Sequence, residues 1–187
     1  MEDMEILGFE YSLEDDCLHA KMAYRGLLCS IAVRDADRVW FCLKALLRSS
    51  AGISRSFWPP NKSERCQERA RHLKSRFSIL ETSPLNSRKM RDHFDHFDER
   101  LDKWMKANPG FRRGGVNFQK HTMLPLNAPH FGFFDAPTMT VVFLNSTFEI
   151  RPVMKAIEKL SARVEKDIPQ LMKIVGKREK EREPRSS

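Results

Sequence analysis

Seven apolar residues in the C-terminal part of the chain recur at intervals of three or four positions. At about 100° per residue, these intervals keep the side chains on one side of an α-helix. A stripe of this length has to be covered by other helices, as in a helical bundle. Pro152 fits the first turn of this helix, and Pro169 is expected to kink it. The stripe consists of Val153, Ile157, Leu160, Val164, Ile168, Leu171 and Val175.

The N-terminal third of the chain divides into three predicted segments. Residues Glu5 to Tyr11 alternate weakly between polar and apolar, which fits a short strand or a loose arm on the core. A helix is expected from about Cys17 to Val33, and a long core helix follows Asp35, which stands where an N-cap belongs. Pro59 should end the core helix. The apolar residues that support the first helix are Leu18, Met22, Leu28 and Ile31.

The pattern changes before the last helix. Residues Thr140 to Leu144 and Thr147 to Ile150 are rich in β-branched and aromatic side chains, and Asn145 and Ser146 between them predict a two-residue hairpin turn. The sequence therefore predicts a mainly α protein, a bundle of four or five helices with one β-hairpin inserted before the C-terminal helix. We expect one helical domain over residues 1–176, with the hairpin at about 139–151, and a charged, disordered tail over residues 177–187.

Composition narrows the environment of the protein. The chain has no apolar run near the length of a membrane helix, and its first residues are acidic where a secretory signal would be basic, so we expect a cytoplasmic protein with no membrane partner. The four cysteines are irregularly spaced without a CxxC pair, which favours reduced thiols over a zinc site or disulfides. No cofactor and no metal are expected.

The charge is concentrated in the middle of the chain. Within the net charge of +8, residues 44–76 carry nine Lys or Arg against two Glu, whereas residues 1–20 carry seven acidic residues and no Lys or Arg. Such a field attracts phosphate backbones, although the same charges also fit a solvated helix face. On the first interpretation, a basic helix over about residues 63–77 and the segment after it bind nucleic acid through Arg65, Arg69, Lys74, Arg76 and Arg88.

The segment SPLNSRKMRDHFDHFDERLDKW, residues 83–104, is predicted to be an amphipathic helix. Its cap is Ser83, or Ser87 if the first turn is irregular. Arg88, Asp92 and His96 are each four apart and share one stripe, which fits either acid–base chemistry or a surface salt-bridge ladder. Asp92, His93 and His96 are also of residue types that bind metal ions, but no distant carboxylate or histidine completes a ligand set. The buried arc is Met90, Phe94, Phe97, Leu101 and Trp104.

Arg91, Asp92 and His96 read R-D-x-x-x-H, which resembles the signature of HEPN domains. This resemblance implies a helical bundle, frequent dimerisation and, in many members, metal-independent RNA cleavage. It implies that Arg91 holds the scissile phosphate, that Asp92 is the polar orienting residue, and that His96 is the general acid or base. Two longer stretches, AGISRSFWP at residues 51–59 and the segment 83–104, resemble parts of a group of uncharacterised bacterial helical proteins.

Two function classes follow from the sequence. The first is a HEPN-like protein that acts on RNA, with Arg91 and His96 in a metal-independent endoribonuclease site. Residues five apart on a straight helix point about 140° apart, so both reach one phosphate only if the turn is irregular or a second subunit of a homodimer contributes. The alternative is a non-catalytic bundle that binds a protein partner or nucleic acid.

Overall fold

Five helices and one small sheet make up the part of the chain that the computed structural model describes, residues 3–86, 97–110, 114–121, 132–144 and 146–182. The helices are α1 (Asp3–Ala32), α2 (Ala36–Phe57), α3 (Glu64–Arg76), α4 (Phe97–Ala107) and α5 (Ile150–Arg182). The strands are β1 (Val116–Asn117), β2 (Gly132–Asp135), β3 (Thr140–Phe143) and β4 (Ser146–Glu149). The predicted mainly helical bundle with a β insertion before the last helix is confirmed.

The core lies where α1 packs against both α2 and α5. On α5, all seven residues of the predicted apolar stripe are buried, and none is more than 8% exposed. Burying each of these side chains stabilises the fold by roughly 1.5–3 kcal/mol. The 3.6-residue period of this stripe therefore identified a core helix correctly.

α1 runs without interruption from Asp3 to Ala32, so the prediction of a strand or loose arm over residues 5–11 was wrong. Ile6, Glu10, Leu13 and Cys17 are three or four residues apart and are all buried on the inner side of α1. Because one of these four core positions holds a glutamate, the helical period is hidden in the sequence.

α2 forms as its sequence predicts. The side chain of Asp35 accepts a hydrogen bond from the backbone N–H of Arg38 at 3.0 Å, which satisfies an amide that the helix itself leaves open. The helix ends at Phe57, and Pro59 follows within two residues. The buried Ser50 donates its hydroxyl hydrogen to the carbonyl of Leu46 at 2.8 Å, so this polar group is satisfied inside the core.

The chain leaves α3 through a series of turns. Ser78 adopts a left-handed conformation with φ of 49°, and the Ile79 N–H donates to the Lys74 carbonyl at 2.8 Å. Another turn joins the Asn86 N–H to the Ser83 carbonyl at 2.9 Å, so Ser83 does not cap a helix as predicted. The alternative cap, Ser87, lies outside the described residues. Leu85 is fully buried and anchors these turns to the core.

α4 is described over Phe97–Ala107 and ends just before Pro109, where the sequence predicts the end of this helical segment. Trp104, the last member of the predicted buried arc, is 8% exposed. Asn108 donates its side-chain N–H to the Trp104 carbonyl at 2.8 Å, which satisfies a carbonyl of the last turn.

The sheet has the order β1-β2-β3-β4. β1 pairs with β2 in parallel, whereas β2 with β3 and β3 with β4 pair antiparallel. The predicted hairpin is present, but its turn was placed one residue too late. Phe143 pairs with Ser146, and Leu144 takes the positive φ, 45°, while remaining buried. Packing of the Leu144 side chain offsets the strain of a conformation that favours glycine or asparagine.

α5 continues through Pro169 as far as Arg182. The first six residues of the predicted tail, 177–182, are therefore helical, and residues 183–187 lie outside the described part. None of the helices in the described ranges combines the length and the apolar character needed to cross a membrane.

Candidate nucleic-acid interface

The residues predicted for catalysis lie just before α4. Arg91, Asp92 and His96, together with Arg88, fall within residues 87–96, outside the described part of the chain. Their assignment stays a prediction from the sequence. Among the described residues, no group of three or more His, Cys, Asp or Glu side chains is arranged to hold a metal ion.

The basic residues predicted on α3 are occupied by contacts within the protein. Arg65 forms an ion pair with Glu5 of α1. The ammonium of Lys74 lies 2.6 Å from Glu81 and stands over the ring of Trp58. These contacts tie α3 to α1 and to the turns that follow α3. Nucleic-acid binding by these residues remains a prediction, and each would have to exchange a contact already made.

Arg69 and Arg76 are the inward members of the same predicted set. The guanidinium of Arg69 stacks 4.3 Å from the centre of the Phe9 ring, a cation–π contact between α3 and α1. The Nε of Arg76 lies 2.7 Å from Glu10 and 2.5 Å from Asp167, so one guanidinium joins α1, α3 and α5. Arg76 is therefore part of an ion pair that holds three helices together.

The two carboxylates around Arg76 compete for one cation. Burial is the largest effect on Glu10 and, with the hydrogen bond and negative charge of Asp167, raises the pKa of Glu10 to about 7, against the opposing effect of Arg76. Glu10 is fully buried, and its Oε2 has no hydrogen-bond partner. Sequence reasoning missed this cluster because its members lie 66 and 91 positions from each other along the chain.

A cleft of about 610 Å³ opens between α1 and α2, and we call it the α1–α2 cleft. The small side chains and glycines that line it are buried or half-buried, and we call them its floor; the longer side chains, most of which are exposed, we call its rim. The floor residues are Ala23, Gly26, Cys42, Ala45, Ser49 and Gly52; the rim residues are Asp16, His19, Met22, Arg38, Phe41, Arg48 and Arg55.

Two glycines fix the depth of this cleft. A Cβ on Gly52 would lie 2.3 Å from Oδ2 of Asp16, and one on Gly26 would lie 2.9 Å from Sγ of Cys42. Only a residue without a side chain therefore permits α1 and α2 to approach this closely. Burial raises the pKa of Asp16, while the positive charges of Arg55 and His19 act in the opposite direction.

The rim of the cleft carries two exposed cations. Arg38 and Arg48 are exposed, and no carboxylate of the described residues lies within ion-pairing distance of either guanidinium. Asp16 is the only acidic residue that lines the cleft among those described, and its charge faces Arg55. The cleft therefore has an excess of positive charge.

Large apolar side chains are exposed beside these cations. Phe41 of α2 is 73% exposed and Met22 of α1 is 59% exposed, although both are apolar residues of long helices. Leu18 and Leu28, two of the apolar residues that support the predicted first helix, are also exposed, at 48% and 45%. An aromatic ring held in water between arginines is the arrangement in which nucleic-acid bases stack on proteins. The apolar period of α2 passes through Trp40 and Leu43 and leaves out Phe41, but this period does not indicate a cleft beside Phe41.

A second polar cluster lies at the edge of the sheet and is structural. The buried Asp135 accepts hydrogen bonds from Asn117 at 2.7 Å and from the hydroxyl of Thr138 at 2.6 Å. Asn117 in turn donates to the carbonyl of His121 at 2.9 Å. Both oxygens of Asp135 thus hold loops in place, and no free group is left for catalysis.

Comparison with protein-family models, with curated proteins and with solved structures finds no match for this chain. The function therefore has to be inferred from the chemistry of the side chains described above.

Proposed function

We propose that this protein is a HEPN-like helical protein that acts on RNA and holds single-stranded RNA in the α1–α2 cleft. The observation that carries the proposal is the exposed ring of Phe41 between the exposed guanidinium groups of Arg38 and Arg48, neither of which forms an ion pair with a carboxylate of the described residues.

The residue types match the two parts of a nucleotide. Guanidinium groups bind phosphate oxygens through paired N–H donors, and the resulting attraction is independent of sequence. An exposed aromatic ring offers a stacking surface to any unpaired base. A base can reach Phe41 only if it is not already stacked in a duplex, so the cleft favours single strands.

Cleavage of the bound RNA is the catalytic part of the proposal, and it rests on the R-D-x-x-x-H motif. In this mechanism Arg91 neutralises the phosphate charge that develops during attack by the 2′-OH. His96 transfers a proton as general acid or base, because an imidazole titrates near neutral pH, and Asp92 orients it. A homodimer would supply one histidine for each of the two proton transfers.

The binding proposal is tested with a labelled, unstructured RNA of about ten nucleotides, by fluorescence anisotropy. Replacing Arg38 and Arg48 together by Ala should weaken binding about tenfold or more, since two charge-assisted contacts are lost. Phe41→Leu should weaken binding by roughly tenfold, while Phe41→Tyr should retain it, because stacking needs a ring.

Two matched double variants control for the loss of charge. Lys166→Ala with Lys173→Ala removes two exposed cations of α5 away from the cleft and should leave RNA binding unchanged. Arg65→Ala with Lys74→Ala tests the rival prediction that α3 is the interface. If the α3 double variant weakens binding and the cleft variants do not, the cleft proposal is wrong.

The catalytic proposal has a separate test. The wild type should cleave the same RNA in excess EDTA and leave 2′,3′-cyclic phosphate ends, and His96→Ala should bind RNA normally without cleaving it. Arg38→Ala with Arg48→Ala should raise KM and leave kcat unchanged, because these residues bind substrate away from the reacting atoms. RNA binding by the wild type without cleavage would support the alternative of a non-catalytic binding protein.

A further inference from the structure

A second cleft, of about 420 Å³, lies between α5 and the segment Ser78–Leu85, and we call it the α5 cleft. It shares no residue with the α1–α2 cleft. Its volume falls within the range of about 300–1,000 Å³ that is usual for small-molecule sites.

One wall of the α5 cleft is basic. Lys155 and Lys159 are four residues apart on α5, so their ammonium groups project from one side of the helix. Both are exposed, and no carboxylate in the described ranges lies within ion-pairing distance of either. Arg163, one turn further on, completes the wall. No acidic residue is found among the described residues that line this cleft.

The opposite wall supplies hydroxyl groups on a well-defined backbone. Ser78, Thr82 and Ser83 all line the cleft. Arg163 donates to the carbonyls of Phe77 and Ser78, and the latter contact is 3.4 Å long. Because Arg163 holds the backbone that carries Ser78, the hydroxyl wall is fixed relative to the basic wall.

Apolar side chains also line the α5 cleft, and part of this apolar lining is open to water. Leu80 lines the cleft and is 70% exposed, although the turns on either side of it are hydrogen bonded. Pro84 and Ala156 also line it. A planar, weakly polar group such as a nucleobase would cover this surface and remove it from water.

We propose that the α5 cleft binds a nucleotide that carries a phosphate monoester, namely the 5′-phosphorylated end of an RNA strand. A phosphate monoester carries about −1.5 to −2 charges near pH 7, which the two exposed lysines and the nearby hydroxyls neutralise better than they would the single charge of a diester. The cleft has room for about one nucleotide, so it suits a strand end rather than a continuous strand.

The choice of RNA as the source rests on the proposed function, but the binding chemistry does not. A free mononucleotide presents the same phosphate monoester and base. The test therefore needs both ligands and variants that separate the two clefts.

The experiment measures binding of three probes by the full chain: a short single-stranded RNA with a 5′-phosphate, the same RNA with a 5′-hydroxyl, and free AMP. The 5′-phosphate should strengthen RNA binding about tenfold in the wild type, since charge-assisted hydrogen bonds are gained. Lys155→Ala with Lys159→Ala should abolish that difference and leave binding of the 5′-hydroxyl RNA unchanged. Lys166→Ala with Lys173→Ala, on the same helix, should retain the difference.

A substitution in the apolar lining supplies a second readout. Leu80→Ser should also reduce the preference for the 5′-phosphate, because the terminal base loses its packing surface. As Leu80 is exposed, this variant is expected to fold normally.

The outcomes are distinguishable. AMP binding that requires Lys155 and Lys159, without any preference for 5′-phosphorylated RNA, would assign the cleft to free nucleotides and overturn the RNA-end proposal. If neither AMP nor the 5′-phosphate has an effect that depends on these lysines, the α5 cleft is not a phosphate site. Loss of all RNA binding in Arg38→Ala with Arg48→Ala concerns only the α1–α2 cleft, and AMP binding would still report on the α5 cleft.

Discussion

At the scale of single residues, Gly52 determines how closely α2 approaches α1 around Asp16. The space that a Cβ would need is taken by the Asp16 carboxylate, 2.3 Å away, and this carboxylate is itself partly enclosed. Gly8 provides a natural comparison, since it also lies in a long helix but has nothing within 4 Å of its Cβ position. Two glycines in helices thus meet opposite surroundings.

Gly52→Ala is predicted to destabilise the protein by about 1–3 kcal/mol, because the added methyl group forces Asp16 or α1 to move. Gly8→Ala is predicted to stabilise it by up to about 1 kcal/mol, as alanine favours a helix over glycine. Urea unfolding followed by circular dichroism measures both values. Equal effects of the two substitutions would show that α1 and α2 are not packed as closely as described.

The surroundings of Phe41 are also a property of a single residue, and the sequence could not reveal them. The apolar period of α2 includes Trp40, Leu43 and Leu47 and leaves Phe41 about 100° away from Trp40 on the helix. Whether a cleft opens beside Phe41 depends on where α1 lies. This depends on Gly26 and Gly52, whose effect appears only when both helices are in place.

At the scale of elements, the ion-pair cluster of Glu10, Arg76 and Asp167 couples α1, α3 and α5 to pH. The folded state raises the pKa of Glu10 from its usual 4.5 to about 7, chiefly through burial, so the folded protein favours the protonated acid. The stabilisation from this group is complete below about pH 4.5 and is lost as the pH rises through about 7.

Glu10→Gln is therefore predicted to flatten the dependence of stability on pH. Between pH 5 and pH 8 the free energy of unfolding of the wild type should fall by an amount on the order of 2–3 kcal/mol through Glu10, whereas the neutral amide makes no such contribution. Denaturant unfolding at several pH values measures the difference. Glu68→Gln, an exposed acidic residue of α3, should keep the wild-type dependence. Parallel curves for the wild type and Glu10→Gln would rule out the coupling.

The elements differ in how well the sequence predicts them. α2 has a side-chain cap at Asp35, a regular apolar face and a Pro59 stop, so local signals determine both ends. The start of α1 lacks such local signals. Its apolar face contains the buried Glu10, whose charge is compensated by Arg76 of another helix. The sequence around Ser83 is typical of a helix N-cap, but residues 83–86 form turns that bury Leu85 in the core.

At the scale of the whole molecule, the distribution of charge along the sequence does not indicate where the exposed cations lie in the folded bundle. The basic region of residues 44–76 suggested α3 as the interface, yet Arg76, Arg65 and Lys74 of α3 are paired with acidic groups. Arg48 lies in the same basic region of the sequence but projects from α2 beside the cleft. The acidic N-terminal helix thus neutralises part of the basic surface and leaves the α1–α2 cleft positive.

The pairing of β1 with β2 is another property of the whole molecule. The hairpin of β3 and β4 is local and is visible in the sequence, whereas β1 has only two residues and joins β2 in parallel across residues 118–131. A strand this short carries no readable period. Its position depends on the hydrogen bond from Asn117 to the buried Asp135.

The most direct test of the account is the salt dependence of RNA binding by the wild type and by Arg38→Ala with Arg48→Ala. If both arginines contact phosphates of single-stranded RNA, the slope of log affinity against log salt concentration should become shallower by about 1.4 in the double variant, or about 0.7 for each lost contact. Lys166→Ala with Lys173→Ala should keep the wild-type slope. Identical slopes for the wild type and the Arg38 and Arg48 variant would contradict RNA binding in the α1–α2 cleft.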